Sequence, residues 1–229
     1  SKLSVPAIRN RMLSSLVNVS RELAQAVADG LGMELPPAMP RVQPKLAKPE
    51  VLESPSLSMT ALPGEVGVRT LRVAILVADG VHGKSVQTVQ AALKAAGASS
   101  KLVAPRLGAV NTVDNVALQA QGTLENCPSV VFDAVVLPDG EACIQHLAAL
   151  GHAREFIVTQ FRHCKTILAL GAGEKLLAGS GIPLDLPDGE PDPGIVLCAA
   201  TAAAAGSKKF IAALAAHRHL SRETDPPRV

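Results

Sequence analysis

An α/β fold with a doubly wound, mainly parallel sheet is predicted for residues 70–229 by three observations. Aliphatic runs at 71–79 (LRVAILVAD), 132–140 (FDAVVLPDG) and 166–170 (TILAL) read as strands buried on both faces. Helix-forming segments separate them, so strand and helix alternate along the chain. The chain is 48% hydrophobic but holds four Phe, no Tyr and no Trp, so its core is aliphatic. Ala and Val supply much of that core, which suits helices packed closely on a parallel sheet. A chain of 229 residues fits one good-sized domain with an appendage and can bury about 70% of its unfolded surface.

Residues 1–35 read as a helical appendage, with Ile8, Met12, Leu13, Leu16 and Val17, then Leu23 and Val27, at helical spacing. Ser20 ahead of Glu22 and Leu23 marks a helix restart, and Gly30 or Gly32 a C-cap. Residues 36–69 read as a linker, with Pro at 36, 37, 40, 44, 49, 55 and 63 favouring extended backbone. The appendage thus has an apolar face and no large partner in the sequence near it.

From residue 70 the elements follow in order. After the strand at 71–79, Ser85 begins a helix lined by Val86, Val89 and Leu93 that ends near Gly97. LVAP (102–105) is a second strand, and residues 110–120 suit a hairpin turned at Asp114-Asn115. FDAVVLPDG is a third core strand, and helix-like sequence runs on to Cys164, with His163 and Cys164 as helix neighbours facing apart. GIVLC (194–198) is a further strand, and Phe210, Ile211, Leu214 and Ala215 line a last amphipathic helix, with His217 and His219 beyond them on different sides of it. This arrangement is flavodoxin-like.

The segment 165–182 carries the sharpest functional signal. An aliphatic strand turns through Gly171, Ala172 and Gly173 into a helix with Glu174 in its first turn. Such a turn is where α/β enzymes mount a reactive Ser or Cys beside an electropositive helix N-terminus. Here the apex offers Gly171 and Ala172, and neither side chain can attack anything.

Composition excludes several classes. A net charge of +2, with scattered basic residues and no aromatic platforms, does not fit nucleic-acid binding. No apolar run is long enough to span a bilayer. Cys127, Cys143, Cys164 and Cys198 form no CxxC pair and no metal-ligand spacing, so reduced packed thiols are expected. Cys143, shortly after a strand, is the candidate for a reactive thiol. The chain begins at Ser1 with neither Met nor a signal-peptide pattern, the expectation for an excised fragment, and the compartment stays open.

LRVAILVADGV, FDAVVLPDG and KTILALGAGEKLLAGSGI, in this order, resemble the ThiJ/PfpI group of the class I glutamine-amidotransferase-like fold. More narrowly, KLVAPRLGAV, DGEPDPGIVLC, KKFIAALAAHRHLSR and the front segment IRNRMLSSLVNVSRELAQAVADGLGMELP resemble the C-terminal region of large-subunit monofunctional haem catalases. In those enzymes a similar helical segment ends the catalytic core and a Pro-rich linker follows. ThiJ/PfpI relatives read roughly A-I-C-H-G at the elbow, and here Ala169, Leu170, Gly171, Ala172 and Gly173 fill those places. Gly171 therefore stands where the nucleophile would be, and Val81, His82 and Gly83 occupy the turn of the usual acidic partner.

The resemblance implies an accessory domain, without cofactor of its own, beside the haem barrel of a peroxide-disproportionating parent. The implied partners are that barrel and the other subunits of a homotetramer. Family catalases hold haem through a tyrosinate, and this chain has no Tyr. The roles implied are stability, assembly and shaping of the substrate route. Chaperone behaviour across the superfamily adds ATP-independent holdase action on unfolding clients. The alternative is a cryptic thiol-dependent enzyme or peroxide sensor.

Two further motifs are decoys. ADGVHGKS (78–85) ends like a phosphate loop, but Ala78 replaces its first Gly and Asp79 would face the phosphate. Asp185, Asp188, Glu190 and Asp192 lack EF-hand spacing and read as a solvated loop broken by prolines. Fold-level analogy places a small-molecule pocket at the sheet's carboxyl edge, around Asp79, His82, Pro138 and Gly171.

Overall fold

Helix α1 (Pro6–Leu16) starts with Pro at its first position, where no amide donor is lost. Helix α2 (Arg21–Leu31) starts at Ser20, whose Oγ accepts from the Leu23 amide at 3.2 Å, and it closes on Gly32 in the left-handed region. Both boundaries match the sequence reading. Leu13, Ala24 and Ala28 are buried where the two helices meet. The segment after α2 is clipped back onto α1, with the Met39 amide donating to the Ser14 carbonyl at 2.9 Å and Asn18 Nδ2 to the Met39 carbonyl at 2.7 Å.

The computed structural model describes residues 3–43, 51, 54 and 67–224, so most of the expected linker lies outside the described residues. The chain divides into two compact units, Ser1–Pro63 and Gly64–Val229. The second is an α/β layer structure on a six-stranded parallel sheet of order β5-β2-β1-β6-β7-β8. Its strands are β1 (Arg72–Leu76), β2 (Ser99–Ala104), β5 (Gly122–Thr123), β6 (Ala134–Leu137), β7 (Thr166–Leu170) and β8 (Ile195–Cys198). Its helices are α3 (Gly83–Ala95), α4 (Glu141–Ala148), α5 (Gly151–Arg162), α6 (Gly173–Gly179) and α7 (Ala203–Leu214). The doubly wound, flavodoxin-like prediction holds.

The central strands are buried on both faces, as their unbroken aliphatic runs require. Every residue of β6 and β7 is buried, with register pairs such as Val136–Leu168. Helix α7 packs on β7, β8 and α3 through Phe210 and Leu214, both fully buried. Helix α4 packs against α5 and α6, and α5 and α6 pack on β6 and β7.

Three local readings are corrected. The hairpin turns near Asp114-Asn115, with Asn115 at φ +56, but its strands β3 (Gly108–Val110) and β4 (Leu118–Ala120) are short and stand back from that turn. Asp114 is pulled elsewhere: its carboxylate accepts from the Gly83 and Lys84 amides at 2.9 and 2.8 Å, capping α3. His163 and Cys164 are not helix neighbours, because α5 ends at Arg162 and Cys164, at φ +55, turns the chain into β7. His217 and His219 likewise lie beyond α7, which ends at Leu214, and His217 at φ +60 starts the return of the chain.

Candidate functional site

The segment after β7 turns directly into a helix. Strand β7 ends at Leu170, Gly171 takes φ +49, and α6 starts at Gly173. Both glycines are held by close approach. A Cβ on Gly173 would stand 2.4 Å from the Leu137 carbonyl oxygen, so the turn lies directly against the end of β6.

At Gly171 the obstacle is a carboxylate. A Cβ there would stand 2.4 Å from Asp139 Oδ1, which accepts from the Ala172 amide at 2.8 Å. In an elbow enzyme the amide after the nucleophile faces the developing oxyanion. Here that amide is spent on Asp139, and the nucleophile's space is filled by the same side chain. Asp139 is not among the candidates named from the sequence. The available signal was its place at the end of a core strand, level in the sheet with the end of β7.

The first strand's turn abuts the same corner. The His82 amide donates to the Asp139 carbonyl at 2.9 Å, and a Cβ on Gly140 would strike the Gly80 carbonyl at 2.3 Å. His82 caps α3 through Nδ1, 3.4 Å from the Ser85 amide, and stands 3.7 Å from Asp114. Burial pushes the Asp114 carboxyl up, but the Lys84 and Gly83 amides and His82 together hold it below the usual carboxylate value. His82 is thus part of a helix start.

Asp79 has a partner on each carboxylate oxygen. Its Oδ1 accepts from the Asn111 amide at 2.9 Å, its Oδ2 from Arg106 Nη2 at 2.8 Å, and its carbonyl pairs with His146 Nδ1 at 3.1 Å. The Asn111 amide, helped by Arg106, holds its carboxyl below the ordinary value. A cavity of about 290 Å³ opens beside it, and of the four residues expected to share a pocket only Asp79 lines it. Pro138 and Gly171 belong to the elbow corner, and Arg106 and His146 were missed. Neither carried a motif, since only the folding of the loop after β2 and of helix α4 brings them to Asp79.

Cys143 does not have the environment its proposed reactivity needs. It is fully buried under β1, and its sulfur accepts from the Ala78 amide at 3.3 Å. Burial pushes the thiol up to about 12, and the Asp139 and Asp79 carboxylates add to the effect. At neutral pH this group is a packed thiol.

The family described as the C-terminal domain found in long catalases matches residues 69–224. The chain belongs to this family. The catalase HPII of Pseudomonas aeruginosa is 36% identical over 227 residues, covering 97% of this chain and 29% of that protein. Catalase-2 of Bacillus subtilis is 30% identical, covering 96% of this chain and 30% of that protein. The chain therefore spans under a third of the length of these relatives. Among solved structures, Drosophila melanogaster DJ-1beta superposes with a TM-score of 0.57 at 17% identity, covering 67% of this chain and 95% of that one. That likeness is one of fold.

The catalase C-terminal domain also carries a polar cluster at the opposite, amino end of its sheet. The loop read as solvated contains Asp192, which is buried and forms a two-oxygen ion pair with Arg222. Arg222 further donates to the Lys165 carbonyl at 2.7 Å and stacks 4.7 Å over the Phe161 ring. Lys165 Nζ reaches the Ser129 and Phe132 carbonyls at 3.2 and 2.5 Å, and burial lowers its pKa. The acidic loop is therefore an anchor, because its one buried carboxylate is matched by an Arg beyond α7.

Proposed function

We propose that this polypeptide is a non-catalytic accessory domain of a large-subunit catalase whose haem chemistry, disproportionation of hydrogen peroxide, resides elsewhere in the parent. The observation that carries this reading is the filled elbow: Gly171 in place of a nucleophile, with Asp139 on the Ala172 amide. No Tyr is available for the axial ligand that the family's haem requires, so haem belongs to the parent. The domain's work is to add buried area beside the haem barrel and in the homotetramer, and to shape the substrate's route. At about 25 cal/mol per Å² of apolar surface, even a modest interface raises resistance to heat and denaturant.

The second part of the proposal is holdase action on unfolding chains. It is supported by the helical unit, where Val5, Ile8, Met12, Val19 and Leu23 are each more than 40% exposed. Apolar surface of this kind marks interaction sites. The test is light scattering from a heat-stressed client enzyme, with and without this chain at stoichiometric ratio and with an inert protein of equal size as control. Suppressed aggregation without ATP is expected, and scattering equal to the control would remove the holdase role. For the accessory role, deletion of residues 70–229 from the parent should lower its inactivation temperature while leaving haem turnover at ordinary temperature. Unchanged thermal resistance would refute it.

A further inference from the structure

The cavity beside Asp79 lies where an open α/β sheet binds ligands, outside the carboxyl ends of its strands. Strand β1 has β2 on one side and β6 on the other, so the order of the sheet reverses between β1 and β6. Asp79 follows β1, and His146 sits on α4, which follows β6. The two meet across that switch point through the Asp79 carbonyl and His146 Nδ1.

The cavity has an apolar floor and a polar edge. Ala78, Ala104 and Val110 are buried in the floor, and half-buried Leu150 closes one side. At about 290 Å³ it is at the small end of ligand pockets and holds on the order of ten water-sized groups. Asp79 has one hydrogen bond on each carboxylate oxygen, and it fixes Arg106 by a single guanidinium nitrogen. A guanidinium carries five N–H donors in a planar fork, so most of those on Arg106 remain for a guest.

We propose that this cavity binds a short-chain monocarboxylate, its carboxylate on the open edge of the Arg106 guanidinium and its hydrocarbon tail on the Ala78–Ala104–Val110 floor. The Arg106–Asp79 pair orients the guanidinium before the ligand arrives, so little side-chain freedom is lost on binding. Charge-assisted hydrogen bonds select the head group, and the depth of the floor selects a short tail. The site lies apart from the elbow and does not depend on the accessory role.

The test is a titration of the ¹⁵N-labelled chain with butyrate, followed at the Ala78 and Asn111 amides and at Arg106 Nε. Butyrate should give saturable shifts at these positions and bind roughly tenfold more tightly than acetate, whose tail is two methylenes shorter. Uncharged butyramide should bind roughly tenfold more weakly than butyrate. Arg106→Met and Ala109→Leu, both at exposed positions, should each weaken butyrate by roughly tenfold, the first by removing the donor and the second by filling the mouth. Equal binding of butyrate and butyramide, shifts that never saturate, or unchanged affinity in Arg106→Met would each overturn the proposal. If a variant fails to fold, the ligand series on the unaltered chain still decides it.

Discussion

At the carboxyl end of the sheet, Asp139 and Asp79 each accept a main-chain amide and Asp79 adds only the exposed Arg106, while at the amino end Asp192 accepts the Gly194 amide and is locked to a guanidinium buried with it. The first arrangement ties down the turns at that edge of the sheet, because the Ala172 and Asn111 amides already have internal acceptors. The second anchors chain: it joins the loop before β8, the start of β7 and the segment beyond α7 into one network. Gly194 shows how tightly that network is packed, since a Cβ there would stand 2.3 Å from Arg222 Nη2. The two ends teach that a buried carboxylate does not by itself mark a site. What matters is whether any of its hydrogen-bonding capacity is left for a guest.

The largest expected effect breaks the amino-end anchor. Asp192→Ala leaves Arg222 charged, buried and unpaired, and should cost about 3–5 kcal/mol in denaturant unfolding. Replacing both partners, as in Asp192→Leu with Arg222→Met, should cost clearly less than Asp192→Ala alone, because no orphan charge remains. A loss under about 1 kcal/mol for Asp192→Ala would mean that Arg222 finds water or another acceptor, and the contrast between the two ends would fail.

A smaller effect is expected at the elbow. Gly171→Cys puts a thiol at the apex of the elbow but places a side chain at φ +49 and into Asp139 Oδ1. The left-handed backbone and the contact together should cost about 2–3 kcal/mol. The new thiol should stay slow toward a disulfide reagent while Asp139 holds the Ala172 amide. Adding Asp139→Ala frees both the space and the amide, so the double variant should label faster than Gly171→Cys alone. Equal labelling rates would show that Asp139 does not block the elbow. Of the native thiols, Cys198 should label first, being the one that is not fully buried, and Cys143 should wait for unfolding.

The legible and illegible parts of the molecule divide along the same physical line. Buried parallel strands announce themselves as continuous aliphatic runs, and Ser20, Gly32 and Gly171 are short-range signals for a cap or a turn, so the strand–helix order and the empty elbow could be read directly. Long-range polar pairings leave no such pattern. Asp192 and Arg222 are 30 residues apart in sequence, and the prolines around Asp192 resemble those of any exposed loop. Asp139 and Ala172 are brought together only by the pairing of β6 with β7. The His217-His219 reading failed because a helical pattern does not say where the helix stops, and the left-handed turn at His217 has no Gly to mark it.

The mildest expectation sharpens the comparison through pH. His219 is buried at the amino end, its Nε2 3.1 Å from Thr166 Oγ1. Burial pushes its pKa down, Arg222 pushes it further, and Asp192 partly offsets both. The folded state therefore holds the neutral ring, whereas the unfolded chain takes up a proton near the ordinary value of about 6.5. Stability is then complete above that value and falls as pH drops through it toward the depressed folded-state pKa, since the unfolded state binds more protons there. Thermal unfolding between about pH 7.5 and 5 should show a declining Tm, at about 2–4 °C per kcal/mol for a chain of this size. His219→Gln keeps a hydrogen-bonding group for Thr166 Oγ1 but cannot titrate, so its Tm should decline less over the same range. An identical decline in both proteins would show that His219 does not carry the acid sensitivity of this range, and Asp79 and Asp114 would not replace it, because their lowered carboxyl pKa values confine the loss of their amide bonds to below about pH 4.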